Sequence, residues 1–143
     1  MSTNEVLESY LLLRRTVALI RAAETKNLSF GHNQISFLYR LSLSSATMGE
    51  LSEYSSSDKA STSRTISALE KEGLVKRVSD PKDRRVIRIE LTAKGRVQAK
   101  QAHLIRSHIG QKLDQFLSAP ERKQFHNLIQ KIVEGFQNET PSK

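Results

Sequence analysis

Residues 47–95 read TMGELSEYSSSDKASTSRTISALEKEGLVKRVSDPKDRRVIRIELTAKG. Thr47-Met48-Gly49-Glu50 has the T-x-x-E form of a capping box, in which the two side chains satisfy two amides left unpaired at a helix start. The short helix that follows carries Leu51 and Tyr54 inward. It breaks at Ser55-Ser56-Ser57, and Asp58 is placed to cap the next helix. That helix, over 59–72, has Thr62, Ile66 and Leu69 on one side when phased at about 100° per residue. Ser61, Arg64, Ala68 and Lys71 lie on the opposite side, with Ser63 and Ser67 toward the flanks. Gly73 stands where a helix commonly ends on a left-handed residue. Leu74-Val75 leads into a strand, and the loop Asp80-Pro81-Lys82-Asp83-Arg84-Arg85 is too polar to pack. Val86, Ile87, Ile89 and Leu91, with Arg88 and Glu90 outward, form the return strand.

Two helices and a turn, followed by a cationic hairpin, are the layout of a winged helix-turn-helix. Short side chains early on the exposed face of helix 59–72 let it sit deep in a groove. Arg64 can then bond guanine bidentately or clamp a phosphate, and Lys71 suits a phosphate. An arginine at the hairpin tip, Arg84 or Arg85, can enter a minor groove, where the potential is strongly negative. Asp83 is out of place in a loop that faces DNA, and its expected role is to pair with a neighbouring arginine and fix that arginine's direction.

The charge distribution agrees. The 143-residue chain carries a formal net charge of +8. Residues 74–100 hold nine basic and three acidic groups, +6 of that total, whereas residues 47–73 are net −2. The excess is thus concentrated around the hairpin and the helix start after it, as a polyanionic partner would require. There is no cysteine, which excludes disulfides, cysteine–zinc sites and thiol-based sensing. No apolar run approaches the roughly 18 residues of a membrane span, and the opening residues lack a leader's basic-then-apolar pattern. The expectation is a soluble, cytoplasmic protein.

On either side of the module the pattern is helical. Val6, Tyr10, Leu13, Val17 and Ile20 form a stripe over 5–24, and Leu7, Leu11, Leu12 and Leu19 widen it, so this helix needs two neighbours. Residues 25–33 read as a loop, and 33–44 as a helix with Ile35, Leu38, Tyr39 and Leu41 facing the core. Thr92 is expected to cap a helix over 93–117 with the stripe Ala102, Ile105, Ile109, Leu113 and Phe116. Ser118-Ala119-Pro120-Glu121 is a second capping box. It opens a last helix over 119–137 that carries Phe125, Leu128, Ile129, Ile132, Val133 and Phe136. The tail, Asn138 to Lys143, is expected to fray. The fold class is therefore mainly α with a small β-hairpin wing: a winged helix-turn-helix over 47–95 plus a helical dimerisation region from 5–44 and 93–137.

Residues 69–95, LEKEGLVKRVSDPKDRRVIRIELTAKG, closely resemble the wing region of the MarR family of bacterial transcriptional regulators. The DPxDRR core, the preceding Gly73-Leu74-Val75 and the following LTxKG match in order and spacing, and a weaker likeness extends over nearly the whole chain. The resemblance implies a homodimer that binds a palindromic operator in double-stranded DNA, in most cases as a repressor. It places Ser61, Ser63 and Arg64 in the major groove. It matches Arg84 and Arg85 to the paired wing arginines, one in the minor groove and the other braced by Asp83, without saying which is which. It also implies a small aromatic effector between the winged module and the dimer helices. Arg14, His32 and Tyr39 are the candidates to line that pocket, although structural roles suit each of them.

Two other readings compete. An enzyme is not expected: there is no phosphate-binding glycine loop, and His32, His103, His108 and His126 show no metal-ligand spacing, so they read as solvated side chains. No cofactor or metal is expected. The stronger rival is a winged helix used as a protein-interaction module without sequence-specific DNA binding. It predicts apolar or acidic residues on the exposed face of helix 59–72.

Overall fold

A computed structural model describes residues 4–139. The elements run α1 Glu5–Thr25, α2 His32–Leu43, β1 Ala46–Thr47, α3 Met48–Ser55, α4 Lys59–Lys71, β2 Val75–Ser79, β3 Ile87–Leu91, α5 Ala93–Asp114 and α6 Ala119–Glu139. Asn138 and Glu139 therefore lie in the last turn of α6, while the rest of the expected frayed tail lies outside the described residues.

The helix starts follow from local side-chain chemistry. Thr47 Oγ1 accepts from the Glu50 amide at 3.2 Å and Glu50 Oε2 accepts from the Thr47 amide at 2.9 Å, the reciprocal bonds of a capping box. Asp58 Oδ1 accepts from the Ser61 amide at 2.6 Å and opens α4. Thr92 Oγ1 accepts from the Gly95 amide at 3.0 Å and opens α5. Ser118 and Glu121 exchange bonds before α6. Between α3 and α4 the chain turns through Ser56 in the left-handed region, φ 51°. The α4 helix stops at Gly73, φ 73°, where the Leu74 amide reaches back to the Leu69 carbonyl at 2.9 Å.

The core lies under the small sheet. Phe37, Leu38, Leu51, Ile66, Leu69, Leu74 and Ile89 are fully buried, each contributing about 1.5–3 kcal/mol of transfer free energy. Thr62 is buried among them. Its hydroxyl is satisfied by the Asp58 carbonyl at 3.0 Å and by Ser52 Oγ at 3.0 Å, so the polar group stabilises the α3–α4 angle at little desolvation cost. Three antiparallel strands pair in the order β1-β3-β2. β1 has only two residues, and sequence periodicity gives no sign of it. α2 is shared: Phe37 and Leu38 join this core, while Tyr39 meets His103 of α5.

Several expected inward positions differ. Tyr54 is exposed at the end of α3. Ile87 is also exposed, because β3 extends beyond the core at that end. The helix after Thr92 ends at Asp114 rather than 117, which leaves Phe116 80% exposed in the corner before α6. That corner is held by the Arg122 guanidinium, which donates to the Leu117 carbonyl at 2.6 Å.

The helices outside the module leave much apolar surface uncovered. Every residue of α6 is exposed, including Phe125, Leu128, Ile129, Ile132 and Val133. Val6, Leu7, Tyr10, Leu11, Leu12 and Leu19 of α1 are exposed as well. No described helix is long and apolar enough to cross a membrane.

Candidate nucleic-acid interface

α4 presents the face that its sequence phasing predicts. Ile66, Leu69 and Thr62 are buried, and Ser63, Arg64, Ser67 and Lys71 are exposed. Ser61 is half-buried: its amide is taken by Asp58 and its carbonyl accepts from Thr65 Oγ1 at 3.1 Å. Its hydroxyl stands at the start of the helix, where amide dipoles favour an anion. The far end of α4 is tied to β2 through Glu70 and Arg77, Oε2 to Nε 3.2 Å. An acidic group beside the helix is thereby matched with a cation on the hairpin stem.

The hairpin tip is built from short hydrogen bonds. The Asp80 amide donates to the Val86 carbonyl at 2.8 Å and the Val86 amide to the Asp83 carbonyl at 3.0 Å. Asp80 Oδ1 accepts from the Lys82 amide at 2.8 Å, a side-chain turn of the type aspartate favours. Asp83 then engages Arg85. Its Oδ1 accepts from the Arg85 amide at 3.0 Å and from Nε at 3.2 Å, and its Oδ2 accepts from Nη2 at 3.3 Å. These bonds hold the Asp83 carboxyl below the usual carboxylate range. The Arg85 side chain nevertheless remains 91% exposed. Arg84 is exposed, and among the described residues no hydrogen bond or ion pair holds it. The pairing expected of Asp83 is thus made to Arg85, a choice that sequence alone leaves open.

Arg88 faces away from the core, but its side chain is only about one-quarter exposed. Its Nε donates to Ser45 Oγ and its Nη2 to the Ser45 carbonyl, both at 2.8 Å. Nη2 also lies 3.6 Å from Glu50 Oε2, and Nη1 lies 3.6 Å from Asp80 Oδ2. Strict alternation along β3 does place Arg88 opposite the core, but a side chain this long folds along the sheet surface. Ser45 and Glu50 carry no sequence signal for this contact, because they lie about 40 residues away.

Two histidines expected to be solvated have partners. His103 Nε2 lies 2.7 Å from Ser42 Oγ, and its ring centroid lies 4.7 Å from that of Tyr39. His108 Nδ1 lies 3.0 Å from Glu24 Oε2. Both join α5 to other helices, a role that helical spacing cannot reveal. Among the described residues no group of three or more His, Asp or Glu side chains could hold a metal ion.

A cleft of about 350 Å³ lies between the winged module and the outer helices. His32 and Tyr39 line it, as do Arg21, Tyr54, Arg106 and Ile109; Arg14 does not. The Arg106 guanidinium carbon sits 4.4 Å from the Tyr39 ring centroid. Partial burial, and secondly the Arg21 charge, push the His32 imidazole below its ordinary value.

Residues 31–87, from the start of α2 to the return strand, match the family model of the MarR family. Over this segment the chain is similar to the MarR family. No curated protein matches the sequence. Among solved structures, the chain resembles a MarR transcriptional regulator from Methanosarcina mazei Go1, with 27% identity and a TM-score of 0.79, over 96% of this chain and all of that one. It is also similar to the transcriptional regulator SlyA, with 22% identity and a TM-score of 0.78, over 96% of each chain. A third likeness is to a cysteine-to-serine mutant of MarR from E. coli complexed with operator DNA. There the identity is 21% and the TM-score 0.77, over 90% of this chain and 94% of that one. The MarR-like architecture therefore extends beyond the matched segment to the outer helices.

Proposed function

We propose that this chain is a sequence-specific DNA-binding transcriptional regulator that acts as a homodimer on a palindromic operator, as a repressor. The observation that carries the reading is the exposed polar and cationic face of α4 combined with an arginine hairpin stiffened by Asp83. Ser61, Ser63 and Arg64 face the major groove in this reading, and Lys71 meets a phosphate. Arg85, fixed in direction yet extended into solvent, enters the minor groove, so that one residue takes both the braced and the groove role that the resemblance divides between two arginines, and Arg84 meets backbone. The structural likeness to a MarR bound to operator DNA supports the assignment of faces. A protein-interaction module would present apolar or acidic groups on α4, and Arg64 and Lys71 stand there instead.

The helices of 5–44 and 93–137 supply the pairing surface, with α1 and α6 at its centre. The cleft beside Tyr39 suits a small aromatic effector. Arg21 and Arg106 on its lining favour one that bears a carboxylate. Binding there would alter how the module sits against α5 and so release the operator.

Fragments selected from the source genome identify the operator and test its symmetry. On that operator, Arg64→Ala is expected to cost about 1–3 kcal/mol and to relax the preference at particular base pairs. Lys71→Ala is expected to weaken cognate and random DNA alike. Equal losses on both DNAs for Arg64→Ala would make Arg64 a phosphate clamp. No salt-dependent binding by the parent protein would overturn the function itself.

A further inference from the structure

We infer that Arg88 is the positioning residue that sets the wing against the helix-turn-helix, so that Arg85 works only while Arg88 holds its clamp. The inference rests on the DNA-binding reading above and deepens it.

One guanidinium reaches three separate parts of the module. At Ser45 it takes both the hydroxyl and the carbonyl at 2.8 Å, which pins it to the entry of β1. At Glu50 it meets Oε2, the same oxygen that accepts from the Thr47 amide in the capping box of α3. At Asp80 it meets Oδ2, while the other carboxylate oxygen starts the wing turn at Lys82. The Arg88 side chain is only about one-quarter exposed and that of Asp80 less still. Such a pair is screened less than a surface ion pair. A planar fork can donate to both Ser45 acceptors while it stands within ion-pair distance of both carboxylates, a geometry that a compact ammonium does not reproduce. The foot of the hairpin is held by the Glu70–Arg77 pair, the pairing of β1 with β3 and buried Ile89, whereas Arg88 and Asp80 are the contact that restrains its tip end. The clamp joins the hairpin to the cap of the helix that leads into α4.

Because arginine is itself a cation, the test must separate position from charge. Arg88→Lys retains the charge and removes the fork. Asp80→Asn and Glu50→Gln retain the turn and capping-box hydrogen bonds but remove a negative charge each. Operator affinity is measured for each variant alone and combined with Arg85→Ala, after melting curves establish that each is folded. Amide exchange of residues 79–87 is measured without DNA. Arg88→Lys is expected to weaken operator binding about tenfold, to speed exchange in the wing, and to make Arg85→Ala nearly silent in its presence. Asp80→Asn is expected to weaken binding severalfold, although removing an acid should tighten it on electrostatic grounds alone. Glu50→Gln is expected to do the same. The inference is overturned if the Arg88→Lys and Arg85→Ala losses multiply independently, or if wing exchange is unchanged, or if the acid-to-amide variants bind more tightly. Failure of the DNA-binding reading would look different: the parent protein would show no operator affinity for Arg85→Ala to reduce. If Arg88→Lys does not fold, the Asp80→Asn pair with Arg85→Ala decides the matter by the same non-additivity.

Discussion

Asp83 accepts three hydrogen bonds from Arg85, yet the arginine remains almost wholly in solvent. Such an arginine loses less side-chain entropy on entering a groove than an untethered one. Each wing variant removes one cation per subunit, so two per dimer. Arg85→Ala and Arg84→Ala are each expected to lower the slope of log K against log salt by about 2. Only Arg85→Ala should also reduce the preference for a narrow, A·T-rich minor groove. Asp83→Ala is expected to weaken binding even though it removes an acid. Titrations of labelled operator at several salt concentrations give all three results, and tighter binding by Asp83→Ala would refute the bracing. His32 offers a separate check through pH. Its folded pKa lies below its unfolded value, so the folded chain holds that proton more weakly and protonation favours unfolding. The contribution is complete above about pH 6.5 and is lost as pH falls from there through the folded value. NMR titration is expected to place its inflection below the ordinary imidazole value, and Arg21→Ala should raise it.

At the level of elements, the seat of α5 shows why a glycine stands in the LTxKG run. A Cβ at Gly95 would lie 1.9 Å from the Leu74 carbonyl oxygen. That backbone is itself held, since the Thr92 amide donates to the same oxygen at 3.0 Å and Thr92 Oγ1 donates to the Gly73 carbonyl at 2.6 Å. Gly95→Ala must therefore separate α5 from the end of α4. It is expected to cost about 2–3 kcal/mol, read as a shift of the urea midpoint without a change of slope. A loss below about 0.5 kcal/mol would mean that the helix slides at no cost. The beginnings of α3, α4, α5 and α6 were legible in the sequence because a cap is a contact over three residues. β1 was not, because its strand character arises only from pairing with β3 more than 40 residues later. Phe37 escaped the stripe drawn through Ile35, Leu38 and Tyr39 because α2 is covered on more than one side. Likewise Arg88 looked solvated because alternation gives a side chain's face and not its reach.

For the whole molecule, a 21-residue helix with every residue exposed cannot draw its stability from its own chain. Most helical stability in proteins comes from packing an apolar face rather than from intrinsic propensity. The uncovered surfaces of α1 and α6 therefore favour a second copy of the chain. Sedimentation at micromolar concentration is expected to show a dimer as the folded species, with a melting temperature that rises with concentration. Ile129→Asp combined with Ile132→Asp is expected to abolish both the dimer and the cooperative transition. A stable, folded monomer as the sole species of the parent protein would overturn the pairing.

The all-exposed α6 also carries a genetic consequence, because in the proposed dimer the surface that selects the partner is remote from the surface that reads DNA. A copy disabled at Arg64 and Arg85 still offers an intact α1 and α6. It would be recruited by normal copies as readily as they recruit one another. With the two alleles expressed equally, random pairing leaves only about a quarter of the dimers with two working readers. Lesions in α4 or the wing would thus be dominant over the wild-type allele. Lesions that unfold α6 would remove a copy from the pool and be recessive.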